Sequence, residues 1–497
     1  MLRSNVVYKK RFDYPEFWTI GGEDMATKID SRVEQAETTD VLRTEVRSPV
    51  DGATLGTVTN AGPADVASAI AKAASAAVEF AALPAHRRAA LLRQAAVAVD
   101  EQRDALVDDL VRGLGKPVRF ARAEANRGSD MLLRCAEELS SLGGETLPLD
   151  AVPGGEGRTG MTWREPLGVI AAVTPFNAPV NLTLQKVAPA LAMGNTVIVK
   201  PSPEAALVVE RLVGAISSVL PDGVLQVLHG GPEVVLGLSR DPRVDAVSLT
   251  GGTVAGEAVL REAGIKPVLL ELGSNAPNIV LADADIADAA TRITGAAFGA
   301  SGQQCISAQR ILVERSAHDE FLAAFLAAAR GLVVGDPAET ATDLGPMIHR
   351  RSRDRVVELV DDAEARGGRI ALDGRTDSLY LGPTVVTDPH PDSRLLREEV
   401  FGPVVVVQSV DDLDDALAVA NSVDVGLQAA CFTRDLDRAF AAARGLRAGS
   451  VWINEATRFR LDTYPFGGVG RSGLGREGVR YAMEELSTLK FVGLRHN

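Results

Sequence analysis

Between residues 168 and 275, short apolar runs alternate with helical ones, and this alternation narrows the fold more than any other feature of the chain. Val169–Val173, Thr196–Lys200, Leu225–Leu228, Ala246–Leu249 and Val268–Leu272 are predicted strands. Leu182–Met193, Glu204–Leu220, Glu233–Leu238 and Val254–Ala263 are the predicted helices between them. Strands returned to the same end by a helix each time build a parallel, doubly wound sheet. Ligands of such sheets collect at the carboxyl ends of the strands.

A second α/β run covers 276–475, with strands at Arg310–Val313, Val404–Val407 and Ser450–Ile453 and an Ala-rich helix at Asp319–Arg330. Ahead of the alternating region, 64–110 has helical spacing (Leu91, Leu92, Ala95, Val99, Leu106, Leu110), and Glu124–Leu142 reads as another helix. Gly154-Gly155-Glu156-Gly157 predicts a protruding hairpin over 145–165. Leu489–Leu494 reads as a terminal strand with no hairpin partner nearby, suited to completing a sheet elsewhere, another subunit included. Residues 1–50 read as irregular apart from a short strand and turn at Phe17-Trp18-Thr19-Ile20-Gly21-Gly22.

With 497 residues the chain has length for two or three domains. Its formal charge of −14 is dispersed, which disfavours nucleic acid or an anionic membrane as partner. Three widely spaced cysteines form no disulfide framework, and the N-terminus lacks the apolar core of a signal peptide, so a reducing cytoplasm is expected. The uncharged stretch Leu167–Gln185 is as long as a membrane span, but Pro175, Asn177, Pro179 and Asn181 mark it as strand, loop and helix start.

Four segments carry chemistry. Ser301-Gly302-Gln303-Gln304-Cys305 sets a cysteine among small, uncharged residues, where a thiol can be both reachable and activated; the alternative is a buried structural cysteine. Gly251-Gly252-Thr253-Val254-Ala255-Gly256 follows a strand and opens a helix, as a pyrophosphate-binding turn does, although an ordinary turn has the same look. Glu271, between leucines at a strand end, is either paired or a poised proton acceptor. Asn177, in Thr174-Pro175-Phe176-Asn177, can aim an amide at a developing oxyanion or cap the next helix.

Together, and in this order, these segments resemble the aldehyde dehydrogenase superfamily over nearly the whole chain. The resemblance implies that Cys305, in Gly-Gln-x-Cys, is the nucleophile, lying 34 positions beyond the general base Glu271 (305 − 271), and that Asn177 is the oxyanion donor. It implies a cofactor site of Thr174, Pro175, Phe176, Lys200, Ser202, Pro203, Glu204, Gly251, Gly252, Thr253, Gly256, Leu272, Gly273, Glu399 and Phe401. Pro465-Phe466-Gly467-Gly468 and Ser472-Gly473-x-Gly475-Arg476-Glu477 match the C-terminal signature. The implied fold class is α/β and aldehyde dehydrogenase-like. A Rossmann-type doubly wound NAD(P)-binding domain (1–144 and 166–274) joins an α/β catalytic domain (275–476). A small β oligomerisation element (145–165 and 477–497) makes a homodimer or homotetramer. The implied reaction is oxidation of an aldehyde to the acid through a thiohemiacetal and a thioester on Cys305. Enzymes that pass the acyl group to coenzyme A usually lack the glutamate, so Glu271 favours hydrolysis. A CoA-acylating semialdehyde dehydrogenase and a non-catalytic protein of the same fold are the alternatives.

Departures from the family pattern refine the expectation. Pro203 stands where NAD-preferring members carry glutamate, with Glu204 one place on, so NAD is expected with NADP as the alternative. Gly252 replaces a common serine. Glu271-Leu272-Gly273-Ser274-Asn275, with Phe459-Arg460-x-Asp462, resembles the subgroup acting on lactaldehyde, glyceraldehyde-type aldehydes and phosphonoacetaldehyde. By that resemblance Ala178, Gln185 and Gln304 line a polar substrate pocket, although Gln304 replaces the arginine of the phosphonoacetaldehyde enzymes. Arg127, Arg458 and above all Arg460 are the expected holders of an anionic or hydroxylated tail, because guanidinium forms forked bonds to oxyanions. No metal site is expected.

Overall fold

In the computed structural model, which describes residues 42–496, the alternating region is a six-stranded sheet. Its order is Gly473–Leu474, Val268–Glu271, Ala246–Thr250, Val169–Thr174, Thr196–Pro201, Leu225–Val227, with every pair parallel except the first. From Val169–Thr174 the chain steps outward to one side, then crosses back to lay Ala246–Thr250 on the other. That reversal opens a crevice beyond the carboxyl ends of these two strands. Val169–Thr174 and Thr196–Pro201 are buried along their full length, which is why they read as unbroken apolar runs.

The first helical region comprises Pro63–Ala81, Ala85–Glu101 and Arg103–Leu114. The helix predicted from Glu124 starts earlier, at Val118 directly behind Pro117, and ends at Glu138. Leu167–Gln185 divides into a strand, a loop and the start of the helix Pro179–Met193. Among the described residues no helix is long and apolar enough to cross a membrane.

The second run forms a seven-stranded sheet in the order Arg369–Leu372, Thr384–Thr387, Val404–Val410, Arg310–Glu314, Pro277–Val280, Gln428–Phe432, Ser450–Ile453. Only its first pair is antiparallel. Gly473–Leu474 belongs to the other sheet, where Gly473 lies opposite Glu271. That long-range pairing draws the C-terminal segment onto the strand end that carries Glu271.

Two expectations change. Arg43–Arg47, within the stretch read as irregular, is a strand paired with Thr54–Thr59. Of the two strands only Val46 and Val58 are buried, so the apolar alternation that would announce them is nearly absent. The predicted strand at Phe17–Gly22 lies outside the described residues. The terminal strand, Ser487–Arg495, finds its partner within its own chain, pairing antiparallel with Arg158–Pro166 along its whole length. The predicted hairpin is therefore lopsided, since Thr146–Leu147 covers only two residues of the other edge.

Candidate active site

The carboxyl ends of the first sheet open on a cavity of about 510 Å3. Thr174, Pro175, Phe176 and Asn177 line it from the first strand, Lys200, Ser202 and Pro203 from the second, and Gly251 and Gly252 from the turn after Ala246–Thr250. Leu272 and Gly273 follow, with Glu271, Cys305, Glu399 and Phe401 also in the wall. Thr174 Oγ1, Ser202 Oγ and Thr250 Oγ1 are buried hydroxyls without a partner, each costing on the order of 1–3 kcal/mol unless a ligand satisfies it. A Cβ at Gly252 would meet nothing within 4 Å, so the turn at the amino end of the helix Thr253–Ala263 presents bare backbone to the cavity. Burial lowers the proton affinity of the Lys200 amine. Free hydroxyls, a cation and an exposed helix terminus suit a dinucleotide.

Three predicted cofactor residues lie elsewhere. Glu204 sits in a separate cleft beside Asp108, Asp109 and Arg112, because the one-turn helix Pro203–Ala205 carries it away from the cavity. Thr253 and Gly256 stand in the first turn of their helix and are not part of the cavity wall. A Cβ on Gly256 would come within 2.7 Å of Leu272, so this glycine lets helix pack on strand. Gly231, Pro232, Val235 and Leu236 line the cavity and were missed. Their signal was present in the Gly230-Gly231-Pro232 turn that opens the helix Pro232–Arg240.

Cys305 is held by an unusual backbone. Ala300, Ser301 and Gly302 take φ of 55°, 58° and 67°, three left-handed residues in succession. For the alanine and the serine this costs roughly 1–2 kcal/mol each, and the surroundings must hold it. Ser301 Oγ donates to Gly345 O at 2.8 Å, and Ile348 N donates to Gln303 Oε1 at 3.0 Å. A side chain at Gly302 would strike Gly402 O, at 2.2 Å. Cys135 and Cys431 are buried, which leaves Cys305 as the partly exposed thiol. The expected activation is not built in. Burial first, then the nearby Glu399 carboxylate, push the Cys305 thiol up to about 12.

Glu271 ends its strand buried in the cavity wall, with Oε2 unpartnered among the described residues. Burial, then the charge of Glu477, push its carboxyl well above the usual carboxylate range. Glu399 accepts a hydrogen bond from Ser274 N at 3.0 Å, and burial raises it to about 7. A Cβ on Gly273 would lie 2.5 Å from Glu399 Oε2, so a side chain there would displace the Glu399 carboxylate.

Ala178 and Gln304, the chain neighbours of Asn177 and Cys305, line a second cavity of about 350 Å3. Cys305 thus lines the first cavity and its chain neighbour Gln304 the second. The second wall carries four cations. Lys116 is paired with Glu124, Arg292 with Asp288 and Glu455, and Arg127 with Asp462 at 2.8 Å. Arg458 has no carboxylate partner among the described residues. Its Nε donates to Gln304 Oε1 at 2.8 Å, and its guanidinium stacks 4.5 Å over Phe120. Burial, then the charge of Arg119, lower its pKa to about 10. Gln185 and Arg460 are outside this wall. Gln185 donates to Asp462 at 2.6 Å, and Arg460 is bound to Glu477 at 2.8 Å, so the residue ranked first for the tail is already occupied.

The profile of the Aldehyde dehydrogenase family matches residues 36–492. The chain is 40% identical to aspartate-semialdehyde dehydrogenase 1 of Pseudomonas canavaninivorans, over 90% of this chain and 96% of that one. It is 38% identical to 3-sulfolactaldehyde dehydrogenase of Priestia aryabhattai, over 82% and 86%. Its structure superposes with a TM-score of 0.90 on NADP-dependent glyceraldehyde-3-phosphate dehydrogenase from Bacillus halodurans complexed with NADP, at 35% identity, covering 92% of this chain and 96% of that one.

Proposed function

The chain belongs to the aldehyde dehydrogenase family, and from that premise we propose that it oxidises a small aldehyde with a singly charged anionic tail to the carboxylic acid. Its activity is NAD(P)-dependent. The observation behind the substrate class is Arg458, a cation without a counterion next to Gln304 and thus one residue from the nucleophile. A repelled, partly desolvated guanidinium is relieved by an anion, and one free cation matches one negative charge better than a phosphate dianion. Aspartate semialdehyde and 3-sulfolactaldehyde, for which two relatives are named, each bear an anionic group.

In this reading the Cys305 thiolate attacks the aldehyde carbon, and the oxyanion formed is held by the Asn177 amide and the Cys305 backbone N–H. Bound NAD(P) supplies the hydride acceptor, with Lys200, Ser202, Gly251, Gly252, Glu399 and Phe401 as the residues that would hold it. Glu271 then takes a proton from water, the oxygen bonds to the thioester carbonyl, and the C–S bond breaks to release the acid and the Cys305 thiolate. NAD is the expected acceptor. Among the described residues Glu204 and Glu233 act on the Lys200 amine without lining the cavity, so a 2′-phosphate meets no carboxylate in the Lys200–Pro203 wall itself and NADP is the alternative acceptor. The CoA-acylating and non-catalytic alternatives are not favoured.

The edge of Ser487–Arg495 that is unpaired among the described residues, with Leu489, Phe491 and Leu494 exposed, supports assembly into a homodimer or a tetramer of dimers; a cytoplasmic setting is part of the same proposal. The test of the function is a screen of initial rates, without coenzyme A, on succinic semialdehyde, lactaldehyde, glyceraldehyde, phosphonoacetaldehyde and propionaldehyde. The monoanionic aldehyde should give the highest kcat/KM, and a thiol alkylator should abolish all rates. Equal kcat/KM for propionaldehyde would remove the tail assignment.

A further inference from the structure

Glu271 is surrounded by charge that the reaction as described does not use. Lys186 Nζ, from the helix Pro179–Met193, donates to Glu477 Oε1 at 2.8 Å and to Ser248 Oγ at 3.2 Å. Arg460 Nη2 donates to Glu477 Oε2 at 2.8 Å, and its guanidinium carbon lies 3.7 Å from the centre of the Phe466 ring. The side chains are only 1% (Lys186), 4% (Glu477) and 12% (Arg460) exposed, so solvent screens these charges little. Arg476 donates to the backbone carbonyls of Gly468 and Gly475. Glu399 and Cys305 line the same cavity as Glu271.

The charges do not balance around Glu477 alone. Lys186 suffices to neutralise it, so Arg460 is a surplus cation in a buried place, which is costly unless a second anion is near. Two unsatisfied atoms indicate that anion. Arg460 Nε is a buried donor without a partner, and Glu271 Oε2 is a buried acceptor without one.

We propose that Arg460 is a positioning residue for the hydrolytic half of the reaction, fixed by Glu477 and Phe466 so that its positive charge stabilises the ionised Glu271 that takes the proton from water. The electrostatics agree. Burial and Glu477 raise the Glu271 carboxyl, and Arg460 exerts the largest opposing pull, ahead of Lys186 and Arg476. The inference rests on Glu271 being the base.

The test uses p-nitrophenyl acetate without cofactor. Release of nitrophenolate in a burst reports acylation of Cys305, and the turnover that follows reports hydrolysis of the resulting thioester. Arg460→Gln should keep the burst at about one equivalent per site with its rate within about threefold, while the rising pH limb of turnover moves up by about one unit or more. Arg460→Lys, which keeps the charge, should return the limb to within about half a unit of the unmodified protein. A limb unmoved in Arg460→Gln, with burst and turnover lowered alike, would make Arg460 a structural residue and overturn the proposal. So would a loss confined to kcat/KM for tailed aldehydes. Glu271→Gln, measured alongside, separates the two readings. If the limb persists in that variant, Glu271 is not the base and both readings fall. If it disappears there but does not move in Arg460→Gln, only the Arg460 assignment falls.

Discussion

The two cavities lined by Cys305 and by its chain neighbour Gln304 are built on different principles. The larger is made mainly of strand ends, turns and backbone from one doubly wound sheet, with bare glycines and unpartnered hydroxyls, and is closed by Cys305, Glu399 and Phe401 from the second run. The smaller draws its wall from the helices Val118–Glu138 and Ile286–Phe298 and the segment 455–459, and its polar character comes from charged side chains. A backbone-lined site accepts a ligand whose shape is fixed, such as a dinucleotide. A side-chain-lined site can be changed by single substitutions, which suits the variable end of a substrate. In the smaller cavity all the cations but Arg458 are paired with carboxylates among the described residues, so the proposed selectivity rests on Arg458.

Cys305 should be indispensable to the reaction but not to cofactor binding. Cys305→Ala is expected to lower aldehyde oxidation by more than about a thousandfold while NAD(P) binding, followed by fluorescence titration, stays nearly unchanged. A concurrent loss of cofactor binding would mean that the two cavities are not separable. The resting state of that thiol is also testable. With the thiol pushed up to about 12, the reactive thiolate is scarce at neutral pH and increases about tenfold per unit as pH rises towards that value. The rate of Cys305 alkylation by iodoacetamide in cofactor-free protein should follow this from about pH 7 to pH 10. A rate that levels off near pH 7 would show a thiol activated without cofactor.

Arg458→Leu should lower kcat/KM for a monoanionic aldehyde by about 2 kcal/mol, roughly thirtyfold, the scale of a charged hydrogen bond, and leave propionaldehyde nearly unaffected. Equal losses on both would return the second cavity to a merely structural role. The smallest effect belongs to the first cavity. Gly252→Ala adds a methyl group to open space, so the cofactor KM should change less than about threefold. A large rise would mean that the cofactor backbone lies directly against that α-carbon.

The sequence determined the larger cavity because its parts are local. Strand, turn and helix follow one another within a few residues, so Asn177, Gly251, Glu271 and the glycine-rich approach to Cys305 were readable as strand ends and turns. Even there Glu204, Thr253 and Gly256 fall outside the cavity wall, because adjacency in sequence does not say which way a helical turn faces. The left-handed run at Ala300 and Ser301 left no mark in the residue types, since alanine and serine avoid that conformation and adopt it only when tertiary contacts hold them. Composition could not rank Arg127, Arg458 and Arg460 either, because three arginines look alike until their partners are known. Asp462 and Glu477 occupy two of them, and only folding brings those carboxylates within bonding distance. The cysteine, the glutamate and the turns are a property of the chain. Which arginine is left without a carboxylate partner and which is fixed beside Glu477 depends on long-range packing, since a buried charge takes its role from the counterion the fold places next to it.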